Sequence, residues 1–106
     1  MLIVFITVPE GKGAEIAKEL IGRAVCACVN VLPAVSSFYL EDGEMKTASE
    51  ELLLAKVAPA DAGILHSALL EIHPYDTPEF VALEANSEHS DEDYMRWVRS
   101  ATRFSA

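Results

Sequence analysis

Two long β-prone runs folded back on each other at Asp42-Gly43 restrict the fold more than any other feature of this chain. The outgoing arm runs from Val25 to Leu32, breaks at Pro33, and resumes as Val35-Ser36-Ser37-Phe38-Tyr39-Leu40. The returning arm ends in Glu51-Leu52-Leu53-Leu54-Ala55-Lys56-Val57. Asp-Gly between two such runs predicts a tight hairpin, because both residues tolerate the positive φ that the turn requires. Pro33 cannot donate to a ladder, so a bulge or bend is expected halfway along the outgoing arm. A hairpin of this length outruns a single small sheet and is suited to pairing with a neighbouring subunit. Glu41, Asp42, Glu44, Glu50 and Glu51 crowd it. They could form a hard-cation surface, but their spacing matches no calcium loop, and they read first as a solvated, edge-protecting set.

The remaining segments place this hairpin in a fold. Leu2–Val8 is a continuous β-branched and apolar run, predicting a strand covered on both faces. Pro9-Glu10-Gly11-Lys12-Gly13 breaks it, and from Ala14 the spacing turns helical, with Ile16 and Leu20, and Ala17 and Ile21, on the dry side. Gly22 is placed to end that helix in a left-handed cap. Pro59 suits the first turn of a second helix, striped by Leu65, Leu69 and Ile72 and stopped by Pro74. Glu79–Ala85 alternates as a further strand. Ser90 then serves as N-cap of a third helix whose apolar face is Tyr94, Trp97, Val98 and Ala101, with Arg96, Arg99 and Arg103 toward its C-terminal half. The order β-α-β-β-α-β plus a C-terminal helix is that of the ferredoxin-like α+β fold, an antiparallel sheet with helices on one face. One such domain over residues 1–106 is expected.

Composition narrows the function. An apolar fraction of 51% is high for 106 residues and points to buried subunit interfaces. A net charge of −9 argues against nucleic acid and anionic membrane surfaces, which need clustered Lys and Arg. Met1–Val8 has neither a basic flank nor the length to cross a bilayer, so no membrane insertion and a cytoplasmic location are expected. Cys26 and Cys28, two residues apart on a strand, would have α-carbons about 6.6 Å apart and β-carbons too distant to bridge, so reduced thiols are expected.

Among the candidate ligands, Cys28 offers a thiolate for copper(I) or zinc, and Cys26 could share such an ion. Free cysteines are among the most buried residue types, and both read first as small buried hydrophobes. His73, held against Pro74-Tyr75, is either a metal-binding imidazole or a helix C-cap whose ring satisfies a carbonyl. His66, nearly two turns earlier, lies about 10 Å away along the axis and cannot share an ion with it. Gly11-Lys12-Gly13 lacks the spacing of a phosphate loop. No serine sits in a nucleophile elbow, and no nucleophile–base–orienter set is recognisable, so an enzyme is not expected. Tyr94 and Trp97 read as core or interface anchors.

Ala27-Cys28-Val29-Asn30, Pro33, Tyr39, Gly43, Glu50 ahead of Lys56, His73-Pro74-Tyr75, Thr77-Pro78-Glu79, and Asp93-Tyr94 with Trp97, in that order and spacing, resemble the CutA divalent-cation-tolerance family across nearly the whole chain. The resemblance implies a ferredoxin-like subunit and a tight homotrimer built through the long hairpins, similar in assembly to the PII signalling proteins. It also implies an association with copper tolerance and divalent-metal binding, with no enzymatic activity. By this likeness Cys28, Asn30, His73, Tyr75 and Glu79 lie near the clefts between subunits. Cys28 and His73 are then the metal candidates, for copper or another weakly bound divalent ion. Asn30, Tyr75 and Glu79 line a cleft that could instead serve a small molecule. The chain departs from the family at Leu40, where a tryptophan is usual, and at Cys26, where alanine is usual. Ile6 stands where some members carry a copper-binding cysteine.

Overall fold

The computed structural model describes residues 1–102, so Arg103 lies outside the described part. The elements are β1 (Leu2–Pro9), α1 (Gly13–Gly22), β2 (Cys28–Glu41), β3 (Glu44–Val57), a 3-10 turn (Pro59–Asp61), α2 (Ala62–Ile72), β4 (Val81–Glu84) and α3 (Glu92–Ala101). The four strands form one antiparallel sheet in the order β2-β3-β1-β4. Each parallel pair, β1 with β2 and β3 with β4, is therefore split by a strand between them, which is the ferredoxin-like arrangement.

Strand alternation sorts the side chains into two faces. Val4, Ile6 and Val8 of β1 and Leu53, Ala55 and Val57 of β3 pack with Ile16 and Leu20 of α1 and Leu65 and Leu69 of α2 into the main core. Ile3, Phe5 and Thr7 point to the other face and are only half-buried, so β1 is not sealed on both sides as its unbroken apolar run suggests. The helices also differ from the expectation of a single covered face. Cys28 pairs with Lys56 and so lies on the face away from α1 and α2, and the Tyr94 phenol of α3 sits against its thiol.

Several ends are set by local chemistry that differs from the expected signals. Gly22 is the last residue of α1, but Ala24, at φ +56°, takes the left-handed position. Its N–H bonds the Ile21 carbonyl at 2.9 Å and the Val25 N–H bonds that of Leu20 at 3.4 Å, the paired closure of a Schellman cap. Pro59 opens the 3-10 turn and α2 begins at Ala62. Asp91, not Ser90, caps α3, its carboxylate accepting the Tyr94 N–H at 2.8 Å. The buried residues of α3 are Met95 and Val98, while Tyr94 and Trp97 stay exposed in the isolated chain with ring centres 5.7 Å apart. β4 is shorter than Glu79–Ala85 because its pairing with β1 begins at Val81 opposite Phe5, while Phe80 turns aside to stack on His66 at 4.3 Å.

The hairpin is as long as expected. β2 and β3 each run 14 residues, against 8 in β1 and 4 in β4. The turn places Asp42 at φ +52° and Gly43 at φ +77°, and the ladder shifts register between Leu32 and Val35, where Ala34 stands at φ +61° beside Pro33. β1 accompanies β3 only from Val57 to Glu50, so the last turnward residues form a bare two-stranded ribbon. Phe38, Leu40 and Met45 on that ribbon are 68%, 79% and 73% exposed. Isolated two-stranded ribbons are marginal in water.

The start of α1 is closed by the chain itself. The Gly13 N–H donates to Glu51 Oε1 at 2.7 Å, setting a carboxylate on the helix's positive end. A β-carbon at residue 13 would stand 2.8 Å from Val31 Cγ1 and collide with the Glu51 carboxylate. Gly13→Ala is therefore expected to lower stability by about 1–3 kcal/mol in urea unfolding. A loss below about 0.5 kcal/mol would show that Glu51 and Val31 move aside freely.

Candidate functional site

The polar ribbon meets the apolar sheet at Glu50, and the most developed polar constellation forms there. Glu50 pairs with Pro9 of β1 and Val35 of β2, on the face shared with Thr7. It is only 7% exposed, unlike the solvated carboxylate expected from the hairpin's composition. Glu41, Asp42 and Glu44 do lie in solvent as expected. The Tyr75 hydroxyl donates to Glu50 Oε2 at 3.1 Å. Burial first, and then the Glu50 carboxylate, push the Tyr75 phenol above its usual range, so Tyr75 stays a donor. No Lys, Arg or His pairs with Glu50 among the described residues.

His73 explains how Tyr75 is held. It follows the last turn of α2, and Pro74 prevents the helix from continuing. The residue is only 7% exposed, and both ring nitrogens are engaged. Nε2 lies 2.8 Å from the Thr7 carbonyl, which can only accept, so Nε2 carries the hydrogen. Nδ1 accepts the Tyr75 N–H at 3.0 Å. β4 pairs with β1 no further than Phe5, and His73 meets the β1 edge two residues beyond that point. The ring does satisfy a carbonyl, as the capping alternative anticipates, but on β1 rather than on its own helix. The imidazole and phenol rings sit 4.8 Å apart, which fixes the phenol over Glu50.

Around this pair opens a groove of about 780 Å³, lined among others by Thr7, Tyr39, Glu41, Glu50, Tyr75 and Glu79. Tyr75 and Glu79 thus come together in one cleft. Asn30 is exposed on the same face of the sheet, opposite Leu54, but does not line the groove. Cys28 is elsewhere. Its partner Lys56 is four residues along β3 from Leu52, the partner of Thr7, which separates the thiol from the His73 end by about 13 Å along the strand. Within one subunit, Cys28 and His73 therefore do not converge on one ion. Cys26 is buried, and burial, with the Cys28 thiol adding to it, pushes its pKa up to about 12. Among the described residues no three His, Cys, Asp or Glu side chains gather closely enough to hold a metal ion.

Sequence reasoning takes Glu50 for a member of the solvated set and leaves Thr7 and Tyr39 out of the cleft. The available signal was position: Glu50 is the last carboxylate but one before the apolar Leu52-Leu53-Leu54 run, where the sheet begins to bury what it carries.

The CutA1 divalent ion tolerance protein family model matches residues 2–101. The divalent-cation tolerance protein CutA of Thermus thermophilus is 37% identical over 101 residues, covering 94% of this chain and 96% of its own. The chain spans little more than half the length of its plant and human relatives, 57% of the chloroplastic rice protein (32% identical over 96% of this chain) and 54% of the human one. Among solved structures, the PII-like protein CutA from Nostoc superposes with a TM-score of 0.91 at 34% identity, covering 97% of this chain and 98% of that one. A family match over residues 2–101, on a backbone that follows a solved member over 97% of the chain, leaves one assignment: the chain belongs to the CutA1 divalent ion tolerance family.

Proposed function

We propose that the protein is a homotrimeric, non-enzymatic cation-binding protein of the cytoplasm that acts in divalent-metal tolerance, and that the groove over Glu50 and Tyr75 is its ligand site. The observation that carries this reading is the groove's lining: Glu41, Glu50 and Glu79, with no cationic side chain beside them among the described residues. No buried side-chain oxygen or nitrogen among the described residues lacks a partner, so Glu50 Oε1 stays accessible in the groove, where a cation would meet it. The bare ribbon with Phe38, Leu40 and Met45 supports a trimer, because association would cover it and bring a neighbour's residues to the groove mouth. A neighbour or water then supplies the ligands that one subunit lacks. No helix among the described residues is long and apolar enough to cross a membrane.

Copper, weakly held, belongs to the same proposal through Cys28 and His73, at two separate places. Cys28 is half-exposed and presents a soft donor. At His73 an ion would have to take Nδ1 from the Tyr75 N–H. A second reading, a PII-like module that binds a small molecule in the inter-subunit cleft, is favoured by one dimension. About 780 Å³ is far more than a bare ion fills and falls in the range of small-molecule pockets.

The test is a calorimetric titration of manganese(II), zinc(II) and copper(II) into metal-free protein, run on material whose mass by light scattering is three times the 11.5 kDa of the chain. Saturable binding near one ion per subunit, weakened at least about tenfold by Glu50→Gln, is the expected result. Cys28→Ser is expected to remove only the copper component. A monomeric mass, or heats that Glu50→Gln and Cys28→Ser leave unchanged, would overturn the reading.

A further inference from the structure

The groove is acidic, but it is also aromatic. Tyr39 and Tyr75 line it alongside Glu41, Glu50 and Glu79, and among the described residues no Lys, Arg or His does. Anionic ligands such as nucleotides or phosphates need cationic partners or a helix N-terminus, and the groove presents neither. The nearby N-terminus of α1 is already occupied by the Glu51 carboxylate. A small hard metal ion would use the carboxylates and leave the rings idle. Carboxylates beside aromatic faces are the combination that recognises an organic ammonium ion, whose charge is diffuse enough to share between a carboxylate and the negative face of a ring.

A second observation points the same way. Glu50 is 7% exposed and lines the groove, yet its one hydrogen bond among the described residues is the Tyr75 hydroxyl on Oε2. Since no buried side-chain oxygen or nitrogen among the described residues lacks a partner, Oε1 is the accessible oxygen, held in place by a residue that is otherwise buried and open to a ligand in the groove. Tyr75 is suited to hold the position in either state, since His73 fixes its backbone and its phenol remains protonated beside the carboxylate. The net charge of −9 would draw cations toward the cleft and repel anionic metabolites.

We propose that this groove binds an organic ammonium ion, an alkylated or polyamine nitrogen seated against Glu50 and Glu79 and enclosed by Tyr39 and Tyr75. The proposal rests on the reading of the groove as the ligand site and names the chemical class that site selects. Divalent metal and ammonium then compete for Glu50.

The experiment is calorimetry on the intact wild-type protein with tetramethylammonium chloride, spermidine, manganese(II) chloride and ATP, all at matched ionic strength. Saturable binding of an ammonium probe at one per subunit is expected, with a Kd of about 1 mM or lower. It should weaken about tenfold in Glu50→Gln and in Tyr39→Leu, and be displaced by manganese(II). Glu79→Gln, at an exposed position, gives the same reading if Glu50→Gln fails to fold. Glu15→Gln on α1, outside the groove, should bind as wild type. If manganese(II) binds through Glu50 and neither ammonium probe binds, the ammonium proposal falls while the metal reading stands. If an ammonium binds and no metal does, the reverse holds. Saturable ATP binding weakened by the groove variants would overturn the ammonium proposal. Failure of all four probes would overturn the ammonium proposal, and the metal reading falls with it if zinc(II) and copper(II) fail to bind as well.

Discussion

Replacing His73 with alanine is expected to lower the stability of the protein by about 2–4 kcal/mol, measured by urea unfolding at a fixed chain concentration. The size follows from what the ring does. It is almost wholly buried, and its removal leaves a cavity at the end of α2. It also removes the donor to the Thr7 carbonyl and the acceptor of the Tyr75 N–H. A buried polar group that loses its partner costs about 1–3 kcal/mol, and two are lost here, with partial relief where water enters. His73→Gln, which offers an N–H and a carbonyl oxygen from a flexible chain, should recover part of the loss. A change below about 0.5 kcal/mol in His73→Ala would show that the Thr7 and Tyr75 contacts are dispensable.

The same variant bears on ligand binding by a different route. Without His73 the Tyr75 backbone is no longer fixed, and the phenol loses its station over Glu50. Weaker binding in His73→Ala would therefore not by itself identify His73 as a metal ligand. That distinction needs a spectroscopic reading of copper–imidazole coordination in the wild type. The geometry makes His73 a positioning residue first, because both nitrogens are engaged by the fold.

How much of this was legible in the sequence depended on whether a signal was local. Asp42-Gly43 carried its turn in its own φ preferences, and Pro33 its register shift in a missing N–H, so both features of the hairpin came through. Gly22 misled because the Schellman closure fell two residues later and accepted an alanine, an outcome set by where Val25 enters the core. Tyr94, Trp97 and Val98 shared a helical spacing, but Val98 is buried with Met95, while Tyr94 only rests its phenol on the Cys28 thiol and Trp97 stays exposed. The candidate site was legible in its residues and not in its geometry. His73, Tyr75 and Glu79 were singled out, whereas the burial of Glu50 depends on a register across β1, β2 and β3 that no spacing within one strand reveals. The separation of Cys28 from His73 likewise follows only from counting residues along the paired strands.

Alkaline pH should expose the second large effect, through Cys26. Its thiol is buried where β2 approaches the core, and burial, with the Cys28 thiol adding to it, raises the pKa from the usual 9.0 to about 12. A folded-state pKa raised above the unfolded one means that the folded state holds its proton longer. The contribution to stability is thus full below pH 9 and is lost as pH climbs toward 12, where the unfolded chain gains by ionising and the folded chain does not. Each pH unit in that window removes up to about 1.4 kcal/mol, so about 2 kcal/mol should be gone by pH about 10.5 and about 4 by the upper end. Tyr75 and Tyr94, whose phenols are also raised chiefly by burial, add losses of the same sign at higher pH. The Cys26→Ala variant separates the contributions. It should be somewhat less stable than wild type at pH about 7, because it leaves a small cavity, and yet lose less on going to pH about 10.5. The two stability curves should therefore converge with rising pH. Curves that stay parallel would mean that the thiol is as solvated in the folded state as in the unfolded chain, and that Cys26 is not sealed in the core.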